Sequence, residues 1–393
     1  MSAPLFVVAS RIFDGERFLT DTALLVEGGK VKAHLPAAER PAGCRLLILD
    51  DATVVPGFVD LQVNGGGGVL FNNAATLDGI RTICETHARF GTTSLMVTLI
   101  TDTANVRENA IEAAAEAAAR GLPGYLGLHF EGPHLSLARK GTHDPALVRP
   151  MTSDDLAALV ACGSRIGHAM TTVAPENVTP SQVSALVDAG FNVSLGHTDC
   201  RAADVPAYVA AGASLITHLF NAMSQLGNRE PGLVGAALSE GALHCGLIAD
   251  GFHVDPVTMG VALRAKRGPG RIFLVTDAMS SIGSDETGFE LNGRQVYRRD
   301  GRLTLADGTL AGADIDMLSS VRLAHRMLDL PLEEALRMAS AYPAEAIGAP
   351  SKGRLMPDCD ADFLVLSPEL DLRSTWIGGE RVFDATAQAG ANR

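Results

Sequence analysis

Four residues combine the side-chain types and the placement that metal-assisted hydrolysis requires. Glu131 follows the apolar run 125–130, His197 follows 191–196, His218 follows 213–217, and Asp277 follows 271–276. A catalytic zinc takes about three protein ligands and keeps one position open for water. A bound divalent ion lowers the pKa of water from ~15.7 toward ~7, so a nearby carboxylate can remove its proton at neutral pH. Glu131, His197 and His218 supply a His₂Glu ligand set, and Asp277 the acid/base. Taken singly, each histidine also reads as a satisfied core or surface side chain. Asp277 equally suits a helix N-cap ahead of Ala278-Met279-Ser280. Together, at strand ends of one barrel, they favour the metal cluster and a catalytic Asp277. His87 and His325 sit within helical stretches and keep the ordinary reading.

These residues meet only if the fold gathers strand ends. Short apolar runs at 54–61, 92–99, 125–130, 166–173, 191–196, 213–217, 243–249 and 271–276 read as buried parallel strands. Between them lie helical stretches at 77–90, 105–120, 153–162, 180–189 and 204–211. Gly91, Gly121, Gly190 and Gly212 follow four of these as stops, while Ser153 caps one start and Pro180 opens another. The alternation predicts an α/β fold, a (β/α)₈ TIM barrel whose strands end at one mouth. Short strand candidates at 5–13, 22–27 and 46–50, and again at 361–366, 374–377 and 381–383, predict a small β-sandwich domain built from both termini. The expected division is 1–53 and 351–393 for that domain and 54–350 for the barrel. Turn pairs Asn292-Gly293, Asp300-Gly301 and Asp307-Gly308 predict hairpins over 290–309, inserted after strand eight, with helices resuming at 315–328 and 332–340. Gly65–Gly68 fits neither GxGxxG nor GxxxxGK[ST] and reads as a close-approach loop near the mouth.

The 393 residues are 47% hydrophobic and 20% charged, enough for a large core, and the net charge of −13 argues against nucleic acid or anionic membrane as partner. An anionic small substrate then needs a local cationic pocket. Arg229, His253 and His143, on predicted mouth loops, could bind a phosphate together. The six cysteines show no CxxC spacing and read as reduced thiols. The N-terminus lacks signal-peptide features, and no apolar run approaches the ~18 residues of a membrane helix. A cytoplasmic protein is the expectation.

The stretches Pro56-Gly-Phe-Val-Asp-Leu-Gln-Val-Asn-Gly65, Leu128-His-Phe-Glu-Gly-Pro-His134, Lys140-Gly-Thr-His143, Gly196-His-Thr198, Thr217-His-Leu-Phe-Asn-Ala-Met223, Ala249-Asp-Gly-Phe-His253, Val275-Thr-Asp-Ala-Met279 and Gly308-Thr-Leu-Ala-Gly312 carry a resemblance. The chain resembles the N-acetylglucosamine-6-phosphate deacetylases of the amidohydrolase superfamily, from about residue 54 to beyond 341. The resemblance implies a TIM barrel with a β-sandwich from both termini, a divalent ion (usually zinc) on Glu131, His197 and His218, and Asp277 as general acid/base. It implies that Thr142 and His143 touch the substrate, and that Asn221, Ala222, Arg229 and His253 contact sugar and phosphate. Leu310, Ala311 and Gly312 would line the acetyl pocket. It further implies a homodimer, in which a phosphate ligand can cross between subunits. His143 would also steady the developing oxyanion. Many amidohydrolases carry His-x-His at the end of strand one, where this chain has Gln62-Val-Asn64. Amide oxygens are poorer zinc ligands than imidazole, so one firmly held ion is expected, with any second ion weak and near Gln62. The nearest alternative is deacetylation of the N-acetylgalactosamine epimer or of both sugars; Gln62-x-Asn64 argues against cyclic-amide hydrolysis, and the retained ligand set and Asp277 argue against non-catalytic binding of a phosphorylated sugar.

Overall fold

The computed structural model describes residues 3–385. Eight parallel strands follow one another in chain order around a single sheet: β1 (Phe58–Val63), β2 (Thr92–Ile100), β3 (Tyr125–Glu131), β4 (His168–Val173), β5 (Phe191–Leu195), β6 (Leu215–Ile216), β7 (His244–Ile248) and β8 (Ile272–Val275). Every residue of β1 and β2 is buried, as expected of strands covered on both faces. The seam between β8 and β1 closes just past the strand ends. There Asp277 N donates to Gln62 O (3.0 Å) and Asn64 N to Ala278 O (2.8 Å). Below it, the buried Asp60 carboxylate accepts from Thr276 Oγ1 (2.6 Å), Thr276 N (3.2 Å) and Gln62 N (3.2 Å). Burial pushes the Asp60 carboxyl up to about 7 against these donors. The expected (β/α)₈ barrel is the fold.

The surrounding helices are α1 (Leu77–Ala88), α2 (Ala104–Ala119), α3 (Ser153–Cys162), α4 (Pro180–Asp188), α5 (Val205–Ala210), α6 (Gly232–Ser239), α7 (Pro256–Ala265), α8 (Met317–Met327), α9 (Leu332–Ala339) and α10 (Ala341–Ala346). Four begin at a threonine cap: Thr76, Thr103, Thr152 and Thr179, the last two completing capping boxes with Asp155 and Gln182. The cap of α3 is thus Thr152, one residue before the expected Ser153, which becomes the first helical residue. Among the described residues no helix is long and apolar enough to cross a membrane.

Strands from both ends join in one sheet, in the order Glu380–Asp384, Leu372–Ile377, Phe363–Leu366, Arg45–Pro56, Leu5–Phe13, Thr22–Glu27 and Lys30–Pro36. The apolar run expected as one barrel strand over 54–61 divides at Gly57: Val54, Val55 and Pro56 pair with Val365, Leu364 and Phe363, and the barrel strand starts at Phe58. Apolar residues flank the break on both sides, and the breaker pair Pro56-Gly57 marks it. Gly57 is where the chain changes sheets, and a Cβ there would lie 2.0 Å from Thr93 Oγ1. After β8, the inserted segment forms a four-stranded antiparallel sheet from Gly288–Leu291, Arg294–Arg299, Arg302–Thr304 and Leu310–Ala313. Two of its turns carry consecutive positive-φ residues, Asn292-Gly293 and Asp300-Gly301, as their sequences predict.

Asp60→Ala would strand the Thr276 and Gln62 donors inside the barrel. The expected loss is about 3 kcal/mol of unfolding free energy, read as an earlier midpoint in denaturant titration; an unchanged midpoint would show that the seam does not depend on this carboxylate.

Candidate active site

All four residues singled out first lie where barrel strands end. Glu131 is the last residue of β3, and His197, His218 and Asp277 each stand two residues beyond β5, β6 and β8. The last three adopt φ of +47°, +27° and +52°. Non-glycine residues rarely do so, and such strain collects at functional sites. The bend carries each side chain into the mouth rather than onward into the next helix. No helix starts at Asp277; Ala278 instead bridges Val63 and Ala313, which removes the N-cap alternative.

Glu131 Oε1 lies 3.2 Å from His197 Nε2 and 3.1 Å from His218 Nε2, and the two imidazole nitrogens are 3.1 Å apart. Tetrahedral zinc ligands at ~2.0–2.1 Å from the ion stand about 3.3 Å from one another. Three donor atoms already at that spacing fit a divalent cation. His197 Nδ1 donates to Arg139 O (2.9 Å), which leaves its Nε2 lone pair facing the cluster. Burial opposes ionisation of Glu131, yet the two imidazoles hold it well below the usual carboxylate range.

His143 is close by but placed differently. Its Nε2 is 4.0 Å from the other carboxylate oxygen, Glu131 Oε2. His143 Nδ1 is anchored by Thr101, 2.8 Å from its Oγ1 and 3.4 Å from its N, which turns Nε2 into the site. Burial pulls His143 down to about 3, so it is a neutral donor, suited to a developing oxyanion. Asp277 is pushed up to about 6 by burial and by Glu131. Its Oδ1 accepts from Asn64 Nδ2 (2.7 Å) and Gln62 Nε2 (3.1 Å). His253 is oriented by Asp250, whose Oδ2 lies 2.6 Å from His253 Nδ1.

A cavity of about 360 Å³ opens over this cluster. Of the expected site residues, Glu131, Thr142, His143, His197, His218, Asn221, Ala222, His253, Asp277, Leu310 and Gly312 line it. Two do not. Ala311 points away and packs with Met279, Leu291, Val296 and Leu303 beneath the inserted sheet, because alternate residues of a strand face opposite sides. Arg229 is exposed on the loop before α6. The phosphate trio therefore does not assemble within one chain: His143 lies deep beside Glu131, and Arg229 lies outside. Sequence reasoning missed Arg139, Ile248, Met279 and Thr309 in the lining, and Thr101 beside His143. Thr101 directly follows β2 and was open to the same strand-end rule that found the other four.

Residues 53–382 match the amidohydrolase family. The chain is 43% identical over 337 residues to an N-acetylgalactosamine-6-phosphate deacetylase of Shewanella sp. (strain ANA-3), covering 86% of this chain and 85% of that one. It is 33% identical over 366 residues to the N-acetylglucosamine-6-phosphate deacetylase of Haemophilus influenzae, covering 92% and 95%. Among solved structures it is similar to N-acetylglucosamine-6-phosphate deacetylase from Pasteurella multocida, at TM-score 0.92 and 33% identity over 96% of this chain and 99% of that one. A mutant of the Mycobacterium smegmatis enzyme, solved with N-acetyl-D-glucosamine-6-phosphate, superimposes at TM-score 0.89 with 32% identity, covering 97% and 100%.

Glu131, His143 and His197 also bring ligand atoms within 4.8 Å of one another, so His143 is the competing third ligand; the shorter spacing of His218 Nε2 to Glu131 Oε1 and His197 Nε2 favours His218. After dialysis, His197→Ala and His218→Ala should each lose the divalent ion in mass-spectrometric metal analysis, while His143→Ala should retain it. Retention in either of the first two would break the proposed ligand set.

Proposed function

We propose that this chain, a member of the amidohydrolase family, hydrolyses the acetamido group of N-acetyl-D-glucosamine 6-phosphate to D-glucosamine 6-phosphate and acetate. The observation that carries the reading is the meeting of Glu131 Oε1, His197 Nε2 and His218 Nε2 within 3.2 Å of one another, in the cavity that Asp277 and His143 also line. The named activities of the similar proteins supply the substrate class. A second reading has specific support: the 43%-identical relative is named for the galactosamine epimer, so N-acetylgalactosamine 6-phosphate is a competing or additional substrate. Cyclic-amide hydrolysis has less support, since its usual paired-histidine site is here Gln62-x-Asn64.

Glu131, His197 and His218 would hold the ion, and zinc suits a His₂Glu donor set. When bound, a divalent cation supplies acidification of a water and polarisation of a carbonyl. The chain's own groups do the rest. Asp277 takes the proton of the attacking water, a C–O bond forms at the acetyl carbon, and His143 Nε2–H donates to the oxygen that becomes anionic. Asp277 then returns the proton to the nitrogen as the C–N bond breaks, so that a neutral amine leaves. Leu310 and Gly312 border the cavity where the acetyl group would sit, with Thr142, Asn221 and Ala222 toward the sugar. His253 would meet the phosphate. Arg229, exposed and outside its own cavity, suits a role across a homodimer, reaching the neighbouring site. All six cysteines are free and buried, which supports a reducing, cytoplasmic setting.

Acetate release should be measured on both phosphorylated epimers and on unphosphorylated N-acetylglucosamine. Turnover of a phosphorylated sugar, with the unphosphorylated one far slower, is expected; equal rates would remove the phosphate role, and no release from either phosphorylated epimer would end the reading. In the same assay Asp277→Asn should fall by about 10²–10⁴-fold with its metal content intact.

A further inference from the structure

We infer that Gln62 and Asn64 are positioning residues, whose side-chain N–H groups hold the Asp277 carboxylate in place of a second cation. The inference deepens the hydrolase reading and rests on it. Gln62 Nε2 carries two hydrogens and faces two carboxylates, Glu131 Oε1 and Asp277 Oδ1, each at 3.1 Å. Asn64 Nδ2 reaches the same Asp277 oxygen at 2.7 Å. Ionised carboxylates only accept, so chemistry fixes both amide orientations; an amide oxygen turned inward would set acceptor against acceptor. Asn64 Oδ1 is buried without a partner, so donation to Asp277 prevails over satisfying that oxygen.

Both amides are 2% exposed, and their backbones form the barrel seam through Gln62 O and Asn64 N. The donors are therefore as fixed as the strand itself. Two of them converge on Asp277 Oδ1, leaving Oδ2 to handle the proton. Charge balance points the same way. One divalent ion between two neutral imidazoles already offsets Glu131 and Asp277, and a second would leave a buried excess of positive charge. Neutral amides tether the two carboxylates without adding that charge. Between strand one and strand eight, they do geometrically what paired histidines with a second ion do elsewhere.

Gln62→Met and Asn64→Leu remove the donors at nearly constant volume. Each should lower kcat by roughly 10–100-fold, with KM within about threefold; metal-free Asn64→Leu should bind one equivalent of zinc with wild-type affinity, and Gln62→Met one equivalent more weakly, since Gln62 also donates to Glu131. Gln62→Glu adds a third carboxylate and should take up a second equivalent of zinc, where the wild type takes one. Unchanged kcat in the first two variants, loss of the first zinc site together with turnover, or a single equivalent in Gln62→Glu would each overturn the inference. A wild type that deacetylates no phosphorylated amino sugar would instead sink the hydrolase reading, and the zinc titrations, which need no turnover, would still decide the role of Gln62.

Discussion

Glu131 is a carboxylate buried to 3% exposure, and the site is organised around its need for partners. Removing an isolated ion from water costs several kcal/mol even after relaxation, so the fold must deliver donors to it. They come from well-separated parts of the chain: Gln62 from β1, His197 from beyond β5 and His218 from beyond β6, all within 3.2 Å of Oε1. None of these contacts forms until the barrel closes.

That delivery strains the backbone. Three of the four principal side chains, His197, His218 and Asp277, sit at positive φ, and sparsely populated conformations of this kind cost on the order of 1–3 kcal/mol each. Hydrogen bonds around each one offset it: Ser136 N to His197 O (2.8 Å), Asn221 N to His218 O (2.9 Å), and Asp277 N to Gln62 O (3.0 Å). A polar layer within the barrel supports them from below. His129 joins Thr98 and Thr172, and Thr217 meets both Thr172 and Ser194 at 2.6 Å. Burial pulls His129 down to about 4, so this layer stays neutral beneath a charged cluster. A charged layer there would compete with the ion for Glu131.

The strand ends were legible because parallel strands buried on both faces leave continuous apolar runs, and a polar residue just beyond such a run has few places to go. Most expected helices start within a residue of the observed ones, α8 begins two residues after the expected 315, and α3 was displaced only in its cap, since Thr152 and Ser153 are both good capping residues. The sheet change at Gly57 had a signal in the breaker pair Pro56-Gly57, which reading 54–61 as one strand passed over because apolar residues flank it on both sides. Helices α6, α7 and α10 passed unnoticed: Gly232–Ser239 is small and apolar nearly all round and shows little amphipathic period, whereas α7 did carry a start signal in Asp255-Pro256. The sequence separated Gln62 and Asn64 from histidine, as weaker ligands. That these amides turn hydrogen, not oxygen, toward the carboxylates depends on Asp277 standing opposite, across a seam more than two hundred residues long in sequence.

Part of the mouth is built by a segment outside the barrel repeat. The sheet after β8 returns Leu310 and Gly312 to the cavity and sends Arg294 to the carbonyl of Thr142, on the loop that carries His143. It thus borders the cavity at one end and braces the loop after β3 at the other. Gly312 shows how tight the fit is: at φ +72° it is strained for any other residue, and a Cβ there would lie 2.4 Å from Met279 Cγ. Glycine lets Met279 fill the space behind the cavity and leaves room in front for a small acyl group. Under the hydrolase reading, the acyl end of the substrate is shaped by this insertion, and the sugar end by the loops after β3 and β6. The acyl group and the sugar epimer could then vary independently, since different segments contact them.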